Sequence, residues 1–195
     1  MEPLETYLHE AEVAHGHLCA GQVLGVRMAM AGLSRLGIHD ARGADRKRLV
    51  TYVEIDRCAT DAIGVVTGCR LGKRALKFFD WGKMAATFVD LESGRAIRVS
   101  AKESSKEAAR RLHPELQSKN EQQMLAYREM KDEDLFDFQN VKVEVRPEDL
   151  PGFKAERIVC SKCGEGINFH REVRRGDQIL CRACSGDSYY TLIGS

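Results

Sequence analysis

Between residues 20 and 36 the chain reads AGQVLGVRMAMAGLSRL, with apolar or small residues on nearly every helical face. A helix of that pattern is buried on most sides. Gly37 follows where a left-handed C-terminal cap belongs, and Gly21, Gly25 and Gly32 give up helix propensity in exchange for grooves that a second backbone can enter. From 48 to 56, RLVTYVEID follows the two-residue alternation of a half-buried strand, and this strand delivers Cys58. The run KMAATFVDLESGRAIRVSAK, 83–102, predicts a β-hairpin turning through ESGR at Gly94. A helix then starts with Ser104 or Ser105 as its N-cap and ends before Pro114, and another spans about 118–130. NVKVEV, 140–145, reads as the last core strand, and RPEDLPG, with two of the chain's four prolines, as a linker.

Strands and helices alternate without a regular βαβ period, so the expected class is α+β, a mixed core followed by a small module. The boundaries are 1–152 for the core and 153–195 for the module. With 43% hydrophobic and 30% charged residues over 195 positions, the composition is that of a globular protein. A net charge of +1 supplies no global field for nucleic acid or anionic lipid. The best apolar run, Val23 to Leu36, is interrupted by Arg27, Ser34 and Arg35, so no membrane span is expected. The N-terminus MEPLETYLHEAE lacks the basic and apolar regions of a signal peptide, which predicts a cytoplasmic protein.

In that compartment thiols stay reduced, and seven cysteines call for metal or reactivity rather than disulfides. Four fall in one pattern: Cys160-x2-Cys163, 17 intervening residues, Cys181-x2-Cys184. Each CxxC turn aims two sulfurs at one point, and two turns complete a tetrahedron around zinc. A site closed by four thiolates has no open position, so this is structural Zn²⁺ in a ribbon or treble-clef module. Residues 153–195 carry seven Lys/Arg against five Asp/Glu. Zinc with four thiolates adds about −2 and leaves the module near neutral, so nucleic acid is not the expected partner.

The other three cysteines share the first 69 residues with His15 and His17. If a helix already covers 15–19, His15 and Cys19 share a face and His17 turns away; if the segment is extended, all three lie on one side. Cys58 can join them from the end of its strand. Cys69 would lie ~16 Å from Cys58 along a continuous helix, and only an interruption at Gly64 or Gly68 would bring it in. Asp56 and Asp61 flank Cys58 as ligand, orienting group or base. The catalytic candidates are Cys19, Cys58 and Asp61. GCRLGKR, 68–74, imitates a phosphate loop but is one residue short and lacks the Ser/Thr that holds Mg²⁺.

HGHLCAGQVLGVRM, CATDAIGVVTGCRLGK and WGKMAATFVDLESGRAIRV, in that order and with the cysteine module appended, resemble the FmdE family, the proteins related to the FmdE component of formylmethanofuran dehydrogenase. The resemblance spans essentially the whole chain. It implies an α+β core with a Cys/His-lined cleft, a homodimer, and association with molybdenum or tungsten formylmethanofuran dehydrogenase subunits. It carries over His15, His17, Cys19, Cys58 and Cys69 as the core-site residues. The family pattern often has proline after the first cysteine, where this chain has Ala20, so the helix boundary at Cys19 is not enforced locally.

The expectation is a metal-binding protein with structural zinc at the C-terminus and a second transition metal in the core, zinc first and nickel or iron(II) next. Its setting would be one-carbon or molybdenum/tungsten enzyme metabolism. Two rivals stand beside it: an enzyme using that metal or a thiolate on a small carbonyl or formyl substrate, and a zinc-finger transcriptional regulator, which would need a basic face.

Overall fold

A computed structural model describes residues 1–193, so the last two residues of the expected module, 194 and 195, lie outside the described residues. The chain forms two compact units, Met1–Glu144 and Val145–Ser195.

The first unit opens with α1 (Leu4–His15), which buries Tyr7, Leu8 and Ala11 at helical spacing. The sequence pattern of the acidic N-terminus does not announce this helix. Next, α2 (Ala20–Leu36) ends as expected at a left-handed Gly37, φ 72°. β1 (Leu49–Val53), α3 (Cys58–Thr67), β2 (Leu76–Phe78) and the hairpin of β3 (Ala85–Asp90) and β4 (Ala96–Ala101) follow. Then come α4 (Ser104–Leu112), α5 (Lys119–Glu129), the single turn α6 (Asp132–Leu135) and β5 (Phe136–Val141).

The sheet order is β2-β1-β3-β4-β5, with β1 and β2 parallel and all other pairs antiparallel. α2 packs on β3 and β4 on one side and on α3 and α5 on others, which is why it is apolar nearly all round. Val26, Met28, Leu33, Phe88 and Val99 are fully buried at this junction. At Gly25 a Cβ would lie 2.5 Å from the Ala59 carbonyl oxygen, so the α2 and α3 backbones touch there. Gly32 instead makes room for a side chain, the ring of Phe88.

Two expectations shift. The last strand begins at Phe136 rather than 140 and stops at Val141, because Ala96↔Val141 is the final pair with β4 and residues beyond it have no ladder partner. Neither Ser104 nor Ser105 caps α4: Glu103 holds the N-cap position, and the Ser105 hydroxyl donates back to the Lys102 carbonyl at 2.7 Å. Ser118 does cap α5, accepting from the Glu121 amide.

The second unit is built from two short antiparallel ladders, β6 (Ile158–Val159) with β7 (Gly166–Ile167) and β8 (Val173–Arg175) with β9 (Gln178–Leu180). Its buried apolar cluster consists of Cys160, Ile167 and Leu180, far too little to hold a domain on its own. Among the described residues, no helix is long and apolar enough to cross a membrane.

Candidate functional site

In the second unit, β6 runs into Cys160 and β9 into Cys181. After each, the chain turns tightly: the Gly164 amide donates to the Cys160 carbonyl at 3.0 Å with Gly164 at φ 76°, and the Ser185 amide donates to the Cys181 carbonyl at 3.0 Å. The four sulfurs of Cys160, Cys163, Cys181 and Cys184 all lie within 4.8 Å of one another, and Cys163 and Cys181 are 3.9 Å apart. A zinc tetrathiolate with bonds near ~2.3 Å has edges of about 3.8 Å, so the donor set fits the ion. Backbone amides already point at the sulfurs, Cys181 N–H to Cys160 Sγ at 3.3 Å and Cys184 N–H to Cys181 Sγ at 3.4 Å. Amides of Cys163 and Cys181 draw the Cys160 thiol down to about 6, while the adjoining Cys181 sulfur pushes Cys184 up to about 12. Such crowding suits a cation at the centre.

The core constellation is assembled differently. HGHLC is neither helix nor uniformly extended strand. α1 ends at His15, Gly16 takes φ 93°, and Cys19 sits extended as the N-cap residue of α2. The Cys19 carbonyl starts that helix, accepting from the amides of Gln22 and Val23, yet the thiol caps nothing. Asn120 of α5 provides the missing acceptor, its side-chain oxygen taking the Ala20 amide at 3.0 Å. The thiol of Cys19 is thereby left to face the start of α3.

Cys58 is the first residue of α3, reached by a short turn from β1. Burial and the neighbouring Cys19 thiol push its pKa up. The pair hangs over Gly21, where a Cβ would lie 3.4 Å from Cys58 Cβ and 3.7 Å from Cys19 Sγ. One turn along α3, Asp61 accepts from or pairs with His15 Nδ1 at 2.9 Å. That contact directs the other ring nitrogen, Nε2, away from the carboxylate. The rings of His15 and His17 are 4.9 Å apart, with His17 exposed. Two thiols and an imidazole oriented by Asp61 therefore lie at neighbouring ends of α1, α2 and α3. The four C-terminal cysteines are the one group of three or more His, Cys, Asp or Glu donors drawn within 4.8 Å among the described residues.

Cys69 does not join them. α3 runs unbroken through Gly64 and ends at Gly68, φ 68°, so Cys69 lies at its far end from Cys58, roughly 15 Å away by helix rise. It is 3% exposed, its sulfur accepts from the Thr51 hydroxyl at 3.5 Å, and burial pushes its thiol up. It is a packing residue. Of the two acids near Cys58, Asp61 is the one whose contact with His15 is seen.

Sequence reasoning missed the Asn120 cap, since no local pattern links α5 to α2. It also passed over Tyr52, Phe79 and Trp81, whose rings follow one another at 5.9 and 6.0 Å, with Lys83 Nζ 5.8 Å from the indole. KFFDWGK, which breaks the alternation with three large aromatics, was the available signal.

Residues 14–137 match the family described as "FmdE, Molybdenum formylmethanofuran dehydrogenase operon", and residues 155–190 match the "Prokaryotic dksA/traR C4-type zinc finger". A protein of Archaeoglobus fulgidus described as a "Probable S-adenosyl-L-methionine-binding protein" is 33% identical over 216 aligned positions, which take in 98% of this chain and 55% of that protein. The chain thus spans about half the length of that relative. The crystal structure of a tungsten formylmethanofuran dehydrogenase FmdE-like protein from Syntrophus aciditrophicus superposes with a TM-score of 0.64 at 23% identity, covering 96% of this chain and 95% of that one. The two share a fold.

Proposed function

The chain belongs to the FmdE family, and from that premise we propose that it is a two-site metal-binding protein. In this reading residues 153–195 form the structural zinc module. Residues 1–152 hold an exposed transition-metal site built from Cys19 and Cys58, with His15 or His17 completing it. The observation that carries the reading is a pair of half-buried thiols at the starts of α2 and α3, with His15 held by Asp61 one turn further along α3. Imidazole and thiolate donors suit zinc first, with nickel and iron(II) as alternatives. Fewer than four protein donors would leave room for a substrate or partner atom. In the wider setting, the protein would act as a homodimer beside molybdenum or tungsten formylmethanofuran dehydrogenase subunits, in one-carbon metabolism inside the cytoplasm.

A second reading, an enzyme acting on a small carbonyl or formyl compound, draws on the His15–Asp61 pair. A carboxylate that fixes one ring nitrogen leaves the other free to move a proton. A bound metal would supply Lewis acidity there. Cys19 or Cys58 would be the nucleophile in its thiolate form.

Metal analysis of the full chain tests the main reading. About two equivalents are expected in the reduced protein and about one in the Cys19→Ser, Cys58→Ser double variant. A full chain that binds zinc only at the C-terminal cysteines, whatever transition metal is offered, would sink the core-metal proposal.

A further inference from the structure

Cys19 and Cys58 share a property that neither metal reading requires: they are two reduced, half-exposed thiols at the starts of two helices packed on each other. Both side chains stand over the bare Cα of Gly21, and one turn further along α2 the backbone contact at Gly25 and Ala59 locks the helices in register. The space that a Gly21 Cβ would fill is bordered by Cys58 Cβ at 3.4 Å and by Cys19 Sγ at 3.7 Å, so the two side chains converge on one point. Each cysteine also stands at a helix start, Cys19 as the residue preceding α2 and Cys58 as the first of α3. Nothing of the kind surrounds Cys69, which is buried against the hydroxyl of Thr51.

We propose that Cys19 and Cys58 form a redox-active dithiol that closes to an intramolecular disulfide by exchange with a small-molecule disulfide. In the first step the Cys19 thiolate attacks one sulfur of the disulfide RSSR. The S–S bond breaks, and the departing RS⁻ takes up the proton that Cys19 gave to solvent on becoming thiolate. Cys58 then attacks the Cys19 sulfur of the mixed disulfide. A second RS⁻ departs and the Cys58 proton goes to it. The balance is one protein dithiol plus RSSR giving one protein disulfide plus two RSH, with two electrons passing from protein to small molecule.

On the core-metal reading above, this reaction removes both thiolate donors at once, so oxidation would empty the core site while the zinc-held cysteines keep theirs. The disulfide itself does not depend on that reading, and the experiment separates the two.

The full-length, zinc-loaded protein is equilibrated with glutathione disulfide and glutathione over a range of ratios, quenched by alkylation and mapped by peptide mass spectrometry. The expected result is loss of two hydrogens from the intact chain, loss of two alkylatable thiols, and a cross-linked peptide pair containing Cys19 and Cys58. Cys19→Ser and Cys58→Ser should each stop at a mixed disulfide with glutathione on the surviving cysteine. Separate mixed disulfides at both positions of the unsubstituted chain would overturn the proposal. So would a pairing with Cys69, or two thiols that stay alkylatable across the whole range. If the cross-link forms but the reduced core binds no metal, only the core-metal reading fails; if metal binds and no cross-link forms, only the dithiol proposal does.

Discussion

The two cysteine-rich places in this protein solve the same problem, gathering soft donors, by opposite means. At the C-terminus, two CxxC turns each fix two sulfurs locally, and short ladders bring the turns together until all four sulfurs lie within 4.8 Å. In the core, every donor arrives on a different helix end, and what brings Cys19 to Cys58 is a glycine contact between α2 and α3. The first site has only a small apolar cluster around it, whereas the second is positioned by the large hydrophobic core of the first unit. A local motif is therefore a structural centre here, and a tertiary convergence is the place to look for chemistry.

The strongest way to break this contrast is chelation. Stripping zinc should unfold the C-terminal unit, since structural zinc contributes on the order of 10 kcal/mol to small modules with so little core. The helical core should keep its circular dichroism and its thermal transition. A single cooperative loss of both units would refute the distinction.

Next in size is Gly25→Val. A branched side chain would strike the Ala59 backbone, so a loss of about 3 kcal/mol and a parting of the two core thiols are expected, measured by denaturant unfolding and by thiol cross-linking. The C-terminal zinc should be untouched.

Asp61→Asn comes third. Asp61 is 62% exposed at its side chain, so stability should hardly move, while on the two-site proposal core-metal affinity should fall about 10- to 100-fold as His15 loses its orienting carboxylate. Competition with a chromogenic chelator would read the difference, and an unchanged affinity would return Asp61 to the role of a surface ion pair.

Acid separates the two regions by mechanism. Asp90 is buried, and the Arg48 guanidinium, with help from Ser93, holds its carboxyl well below the usual carboxylate range. A depressed folded value means that this stabilisation is complete above the unfolded value of about 3.9 and is lost as pH falls from there through the folded one. Asp90→Asn should flatten that acid limb in core unfolding. Metal release from the C-terminal unit, driven by thiolate protonation, should be the same in both proteins.

The smallest effect sharpens the comparison most. At Gly21 an added methyl would meet Cys58 Cβ at 3.4 Å, ordinary contact, so Gly21→Ala should be neutral or stabilise α2 by up to about 1 kcal/mol. Two glycines one turn apart should thus differ in sign, which differential scanning calorimetry can resolve.

What the linear chain determined was whatever depends on neighbours in sequence. The apolar run of α2 and its stop at Gly37 could be read from residue types, as could the hairpin around Gly94 and the four-cysteine spacing, because helix periods, turn chemistry and CxxC geometry are set within a few residues. Tertiary packing decided the rest. The β5 boundary follows where β4 ends, the N-terminus of α2 is satisfied by Asn120 a hundred residues on, and the unbroken course of α3 sends Cys69 into the core. Above all, Cys58 faces Cys19 because Gly25 lets two backbones touch, a contact between segments far apart along the chain that no local period encodes.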